Sequence, residues 1–162
     1  MKKIKFFKPI ALSLAFLLVF SCSKDEDELE TWELEVNQLK SSTSKYADVT
    51  VSTNEGFIDV TGYVANMGHH YRKEALVDEV FELTKPEYIL YLPDENNILQ
   101  MVAVEYSVIA DANNPATPPE GFTGDQDTWT FVEAAGEWRL HVWTILENPD
   151  GIFKNHNLAI GD

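Results

Sequence analysis

The sequence predicts an α+β fold in which an N-terminal helical segment packs on a mostly antiparallel sheet. Three stretches carry that reading. Trp32, Val36, Leu39, Thr43 and Tyr46 recur at steps of four and three, which puts them on one stripe of a helix. Tyr88 to Ile109 holds two apolar, β-rich runs joined by a polar turn, a hairpin pattern in which Pro93, Asp94, Asn96 and Asn97 supply the turn chemistry. Trp138 to Leu146 is a further apolar strand, preceded by Gly136.

The chain opens with Met-Lys-Lys-Ile-Lys-Phe-Phe-Lys, followed by an apolar run from Pro9 to Phe20 and then Ser21-Cys22. A basic start, a short apolar run and a small residue before the cut describe a secretory signal peptide over residues 1–21. The run is too short for a permanent membrane-spanning helix. Cys22 is the chain's single cysteine. Leu18, Val19, Ser21 and Cys22 together resemble the lipobox of a bacterial lipoprotein signal, with the bulky Phe20 a departure from it. That resemblance implies cleavage before Cys22, lipidation of its sulfur and anchoring in the outer membrane. The alternative is an ordinary cleaved signal, with Cys22 an incidental thiol.

Residues 22–30 then form a lipidated cysteine and an acidic tether. Ser23-Lys24-Asp25-Glu26-Asp27-Glu28 reads as a solvated run. It also resembles the export tag of Bacteroidetes surface lipoproteins, which implies a protein facing the cell exterior. Several acyl chains on one residue hold a membrane stably where a single chain does not.

Removing residues 1–21 removes Lys2, Lys3, Lys5 and Lys8 and no acid, so 8 basic residues remain against 27 acidic ones. Such a surface does not bind nucleic acid by neutralising phosphates. It suits cations, or plain solubility. No second cysteine is present for a disulfide. Residues 31–162 must therefore hold together through their core, and they are numerous enough to do so as a single α+β domain.

Within that domain the first helical stripe is weakened by Ser41, Ser42 and Ser44. A shorter helical turn through Ala47, Val49 and Ser52 stops at Gly56, although Val49-Thr50-Val51 equally suits a strand. Phe57 to Val64 is a short strand. Ala65 to Arg72 reads as a glycine-bearing loop holding His69 and His70. Glu74 to Leu83 is a helical turn or an irregular cover, ended by Pro86. After the hairpin, Asp111 to Asp127 is a long Pro-, Gly- and Asp-rich loop, expected to be a lid or binding loop, or else mobile, and to close over the end near Glu105 and His141. Trp129 to Val132 is a short strand. Asn148-Pro149-Asp150-Gly151 is a turn, followed by an irregular tail.

Strict alternation along the second hairpin run puts Leu99, Met101, Ala103 and Glu105 on one side, and Val102, Val104, Tyr106 and Val108 on the other. Both sides are apolar apart from Glu105. A buried carboxylate must be paired, bound to a metal or protonated. Alternation also puts His141 beside Trp143 on one face of its strand. His70, Glu105 and His141, from three separate elements, form a donor set that suits zinc or iron. The competing reading is a structural one: Glu105 bonds His141 or Arg139 across the sheet and His70 caps a loop. Asp125-x-Asp127 after Gly124 matches half a calcium loop and no more. The sequence holds no Gly-x-Ser-x-Gly elbow, no thiol beyond Cys22 for a Cys–His pair and no phosphate-cradling glycine loop.

Five short motifs occur in order: Gly68-His-His-Tyr71, Pro86-Glu-Tyr-Ile-Leu-Tyr91, Val104-Glu-Tyr106, Leu140-His-Val-Trp143 and Asn148-Pro-Asp-Gly-Ile-Phe153. From Val36 to Asn157 the chain resembles a family of uncharacterised secreted bacterial proteins with Gly-x-His-Tyr, Glu-Tyr, Leu-His-x-Trp and Asn-Pro-x-Gly-x-Phe motifs. The Pro118 to Asp125 loop fits too, whereas Asn157-Leu158 stands where Asn-Pro is expected. The resemblance brings no reaction with it. It does single out His70, Glu105 and His141. The expectation is a surface-anchored lipoprotein that binds a small ligand or metal around these residues. The alternatives are a metal-dependent enzyme using the same residues, or a structural lipoprotein with no small-molecule site.

Overall fold

The computed structural model describes residues 29–161. The expected signal peptide, Cys22 and the acidic run to Glu28 lie outside the described residues. Helix α1 spans Thr31–Thr43, and Glu33 starts it by accepting the Glu30 N–H at 2.8 Å. Its stripe Val36, Leu39 and Thr43 is buried. The three serines mark its end, because the chain tightens there into a 3-10 turn over Ser44–Ala47 that buries Tyr46. Helix α2, Val49–Asn54, is capped by the Asp48 carboxylate on the Thr50 N–H and closes just before Gly56, at φ +97°. The strand alternative for Val49–Val51 is thus not realised.

Six strands follow: β1 Ile58–Val64, β2 Gly68–Arg72, β3 Tyr88–Pro93, β4 Leu99–Ile109, β5 Thr130–Val132 and β6 Glu137–Val142. They form one sheet in the order β1-β2-β3-β4-β6-β5, with every neighbouring pair antiparallel. The helices cover one face. Val36, Leu39, Tyr46 and Phe57 pack there on Ile89, Tyr91, Val104, Tyr106, Leu140 and Val142. The fold is α+β, with far more sheet than helix.

Four expectations need correction. Ala65 to Arg72 is not a loop throughout: Gly68–Arg72 is strand β2, paired on both sides, and only the tight turn before it is loop-like. The strand reading of Trp138 to Leu146 is too long, because β6 ends at Val142. Beyond it the Trp143 indole N–H turns to the Lys154 carbonyl, and the Ile145 and Leu146 amides both bond the Val102 carbonyl.

The parity of β4 is also broken. Leu90 pairs with Ala103 but Tyr91 pairs with Met101, so Val102 is an extra residue, a bulge. Met101 and Leu99 therefore join the helix-side core, while Ala103 packs with Tyr88 and Leu90 on the opposite face. Finally, the Asp111–Asp127 loop does not close over the histidines. Phe122 is buried in the helix-side core, and Thr123 bonds the Glu35 carboxylate of α1 through its amide (2.8 Å) and hydroxyl (2.7 Å).

Candidate metal centre

The face opposite the helices carries a second apolar cluster, Tyr88, Leu90, Val102, Ala103, Trp143 and Ile160, and beside it a group of buried polar side chains. On β4 and β6 the register sets Glu105 opposite His141 and Ser107 opposite Arg139, and on β3 Tyr88 opposite Glu105. His70 enters from β2, in register with Leu90. Two strand spacings, each about 4.8 Å, separate β2 from β4. His70 and Glu105 must therefore lean toward each other across β3, which a curled sheet permits. The curl is evident at the two edges: Thr61 and Val64 of β1 line the same cavity as Thr130 and Val132 of β5.

His70, Glu105 and His141 are buried, at 4%, 2% and 3% exposure. Each offers one ligand atom, and these atoms lie within 4.8 Å of one another. Glu105 Oε1 is 3.5 Å from His141 Nδ1, and Glu105 Oε2 is 3.9 Å from His70 Nε2. A hydrogen bond between nitrogen and oxygen spans about 2.7–3.2 Å. These separations exceed that and sit close to the ~3.4 Å between two ligands each ~2.1 Å from a tetrahedral zinc. Among the described residues Glu105 Oε2 and both ring nitrogens of His141 are buried without a hydrogen-bond partner. The structural alternative, a Glu105–His141 or Glu105–Arg139 hydrogen bond, is not formed.

The tautomer of His70 follows from its neighbour. The Thr61 hydroxyl sits 3.3 Å from His70 Nδ1 and gives its one proton to the Gly62 carbonyl at 2.8 Å. With that proton on the Gly62 carbonyl, Nδ1 is the donor to Thr61 and the Nε2 lone pair faces Glu105. A hydrogen bond that fixes the far nitrogen of an imidazole in this way is the usual support for a metal ligand. His141 is held by stacking on Trp143, with ring centroids 6.3 Å apart and planes 18° apart.

Burial sets the protonation of all three groups. It pushes the Glu105 carboxyl above the ordinary carboxylate range, against the opposing pull of His70. It lowers His70, and it lowers His141 to about 3, with His156 adding to the effect. In each case burial disfavours the charged form. A divalent ion would take the imidazole lone pairs and a carboxylate oxygen of Glu105, and its affinity would depend on pH.

The cavity at the site has a volume of about 310 Å³ and is also lined by Met67, Arg139 and Asn155. Sequence reasoning weighed Arg139 only as a structural partner for Glu105. Alternation on β6 was the signal available, since Arg139 lies two residues before His141. Nothing in the local sequence marked Thr61 or Asn155. The other histidines lie elsewhere: His69 bonds Asp59 at 2.8 Å, and His156 is exposed in the tail. Asp127 Oδ2 accepts the Phe122 amide (3.0 Å) and the Trp129 indole N–H (3.2 Å), stapling the loop.

Comparison with family models, with curated proteins and with solved structures gave no match to this chain.

Proposed function

We propose that this protein is a lipoprotein of the bacterial outer membrane, held by acyl chains on Cys22 and facing the cell exterior, that binds zinc or ferrous iron through His70, Glu105 and His141. The observation that carries the metal part is the convergence of three buried ligand atoms with no hydrogen bond between them. A buried carboxylate oxygen and buried imidazole nitrogens without partners cost about 1–3 kcal/mol each. A cation at their centre removes that cost. Two imidazoles and one carboxylate suit either metal, and three protein ligands leave a coordination position open.

A second reading is favoured by the cavity. The three ligands all line the ~310 Å³ cavity, so a metal-bound water there would face whatever enters it. That is the arrangement of a metal-dependent enzyme, in which the ion activates water or polarises a bound oxygen. The third reading, a purely structural lipoprotein, leaves the buried unpaired groups without a role.

Elemental analysis of the purified protein separates these readings. One equivalent of zinc or iron, lost in His141→Ala, is the expected result. A metal-free protein that takes up neither ion on titration would sink the metal reading and leave the structural one.

A further inference from the structure

The geometry points to a second component at this centre: a small carboxylate ligand, with one oxygen on the metal and the other on the guanidinium of Arg139. This extension rests on the metal centre proposed above.

Three observations carry it. Arg139 lines the cavity together with His70, Glu105 and His141. Its guanidinium is oriented by one edge only, because Nε (3.3 Å) and Nη2 (3.0 Å) both donate to the same Glu137 oxygen. No acceptor among the described residues takes a hydrogen bond from Nη1. Glu137 in turn is fixed by the Ser107 hydroxyl at 2.7 Å and by Arg72 at 2.9 Å, so Arg139 is braced rather than free to swing.

Arg72 and Arg139 are matched by Glu137 and, in solvent, by Glu74. A divalent cation on Glu105 then leaves one positive charge in excess on a largely buried face. An uncompensated charge in such surroundings is costly, and one bound anion removes the excess. A carboxylate fits best, since the planar fork of arginine matches carboxylate geometry and the open metal position takes an oxygen. The cavity, about 310 Å³, has room for a small organic acid. Val64, Met67 and Val132 give its remaining wall apolar patches, beside the polar Thr61, Thr130 and Asn155.

The test is to load the purified protein with cobalt(II), a spectroscopic substitute for zinc, and titrate it with glycolate while following the visible d–d bands. A saturable band shift is expected in the wild type. In Arg139→Gln, loaded to the same cobalt content, glycolate should bind at least tenfold more weakly. Arg139→Lys keeps the charge without the fork and should fall between the two. Cobalt bound with no spectral response to glycolate would overturn this inference and leave the metal centre standing. So would equal glycolate affinity in wild type and Arg139→Gln. Inorganic phosphate binding as tightly as glycolate would overturn the carboxylate assignment. Failure of the wild type to bind cobalt would remove the metal centre and this inference with it.

Discussion

Glu105 is where this molecule forgoes stability. Its carboxyl is buried on β4 with one oxygen unpaired, and burial disfavours its charged form. Glu105→Leu should therefore make the metal-free protein more stable, by about 1–2 kcal/mol in denaturant unfolding with chelator present. The same change should abolish the extra stability that zinc confers on the wild type. Loss of stability in chelator would mean that Glu105 has a structural partner after all. Glu87 offers a separate test through pH. It is buried and accepts the Ser107 N–H at 2.8 Å, and burial pushes its carboxyl up to about 8. Its folded-state value thus lies above its unfolded value of about 4.3. Its contribution to stability is complete below the unfolded value and declines as pH rises through about 8. Glu87→Gln removes that titration. The variant should match the wild type near pH 4 and exceed it by about 5 kcal/mol at pH 8.5, since a shift from about 4.3 to about 8 is worth ~1.36 kcal/mol per unit. A pH-independent difference between the two would contradict the assignment.

At the scale of elements, β2 decides where His70 stands. Gly68 opens this strand at φ +97°, and a Cβ there would meet the Tyr91 carbonyl oxygen at 2.5 Å and Leu92 Cδ2 at 3.0 Å. Backbone strain and collision with β3 act together at this position. Gly124, at φ +101°, has open space around it and supplies the comparison. Gly68→Ala should destabilise the fold by about 2 kcal/mol or more and weaken metal binding, because β2 carries His70 away from Glu105 as it shifts. Gly124→Ala should cost about 1 kcal/mol and leave metal affinity alone. Equal effects in thermal melts and zinc titrations would show that β2 does not position the site.

The same elements show how far the residues alone could be read. The 3.6-residue stripe on α1 is a local signal, and it survives in the structure because those residues are what the sheet buries. Alternation located Glu105 and His141 on facing positions of β4 and β6 because both lie in regular strand. It failed for Met101 and Leu99, since a single bulge residue at Val102 inverts every side chain before it. Gly68-His-His-Tyr-Arg has no apolar alternation at all. It becomes strand because β1 and β3 pair with it on both sides, which is tertiary information. The long loop showed its length but not its direction, which Phe122 and Asp127 set through contacts far from the histidines.

On the scale of the whole molecule the two faces of the sheet have separate tasks. The helix side supplies the larger apolar cluster, and the opposite side combines a smaller one with the buried His70, Glu105 and His141. Among the described residues no helix is long and apolar enough to cross a membrane. The proposed membrane attachment is through Cys22. Metabolic labelling with a fatty-acid analogue should mark the wild type and not Cys22→Ala. Protease added to intact cells should degrade a protein that faces outward. Full protection would confine it to the periplasmic side.

The central claim is that His70, Glu105 and His141 hold one metal ion. X-ray absorption at the zinc edge of the zinc-loaded protein tests it most directly. The predicted spectrum has a first shell of nitrogen and oxygen at about 2.0–2.2 Å. It carries the outer-shell scattering of two imidazoles, reduced to one in His141→Ala. A shell of oxygens without imidazole scattering, or a spectrum unchanged in His141→Ala, would place the ion elsewhere and contradict the account.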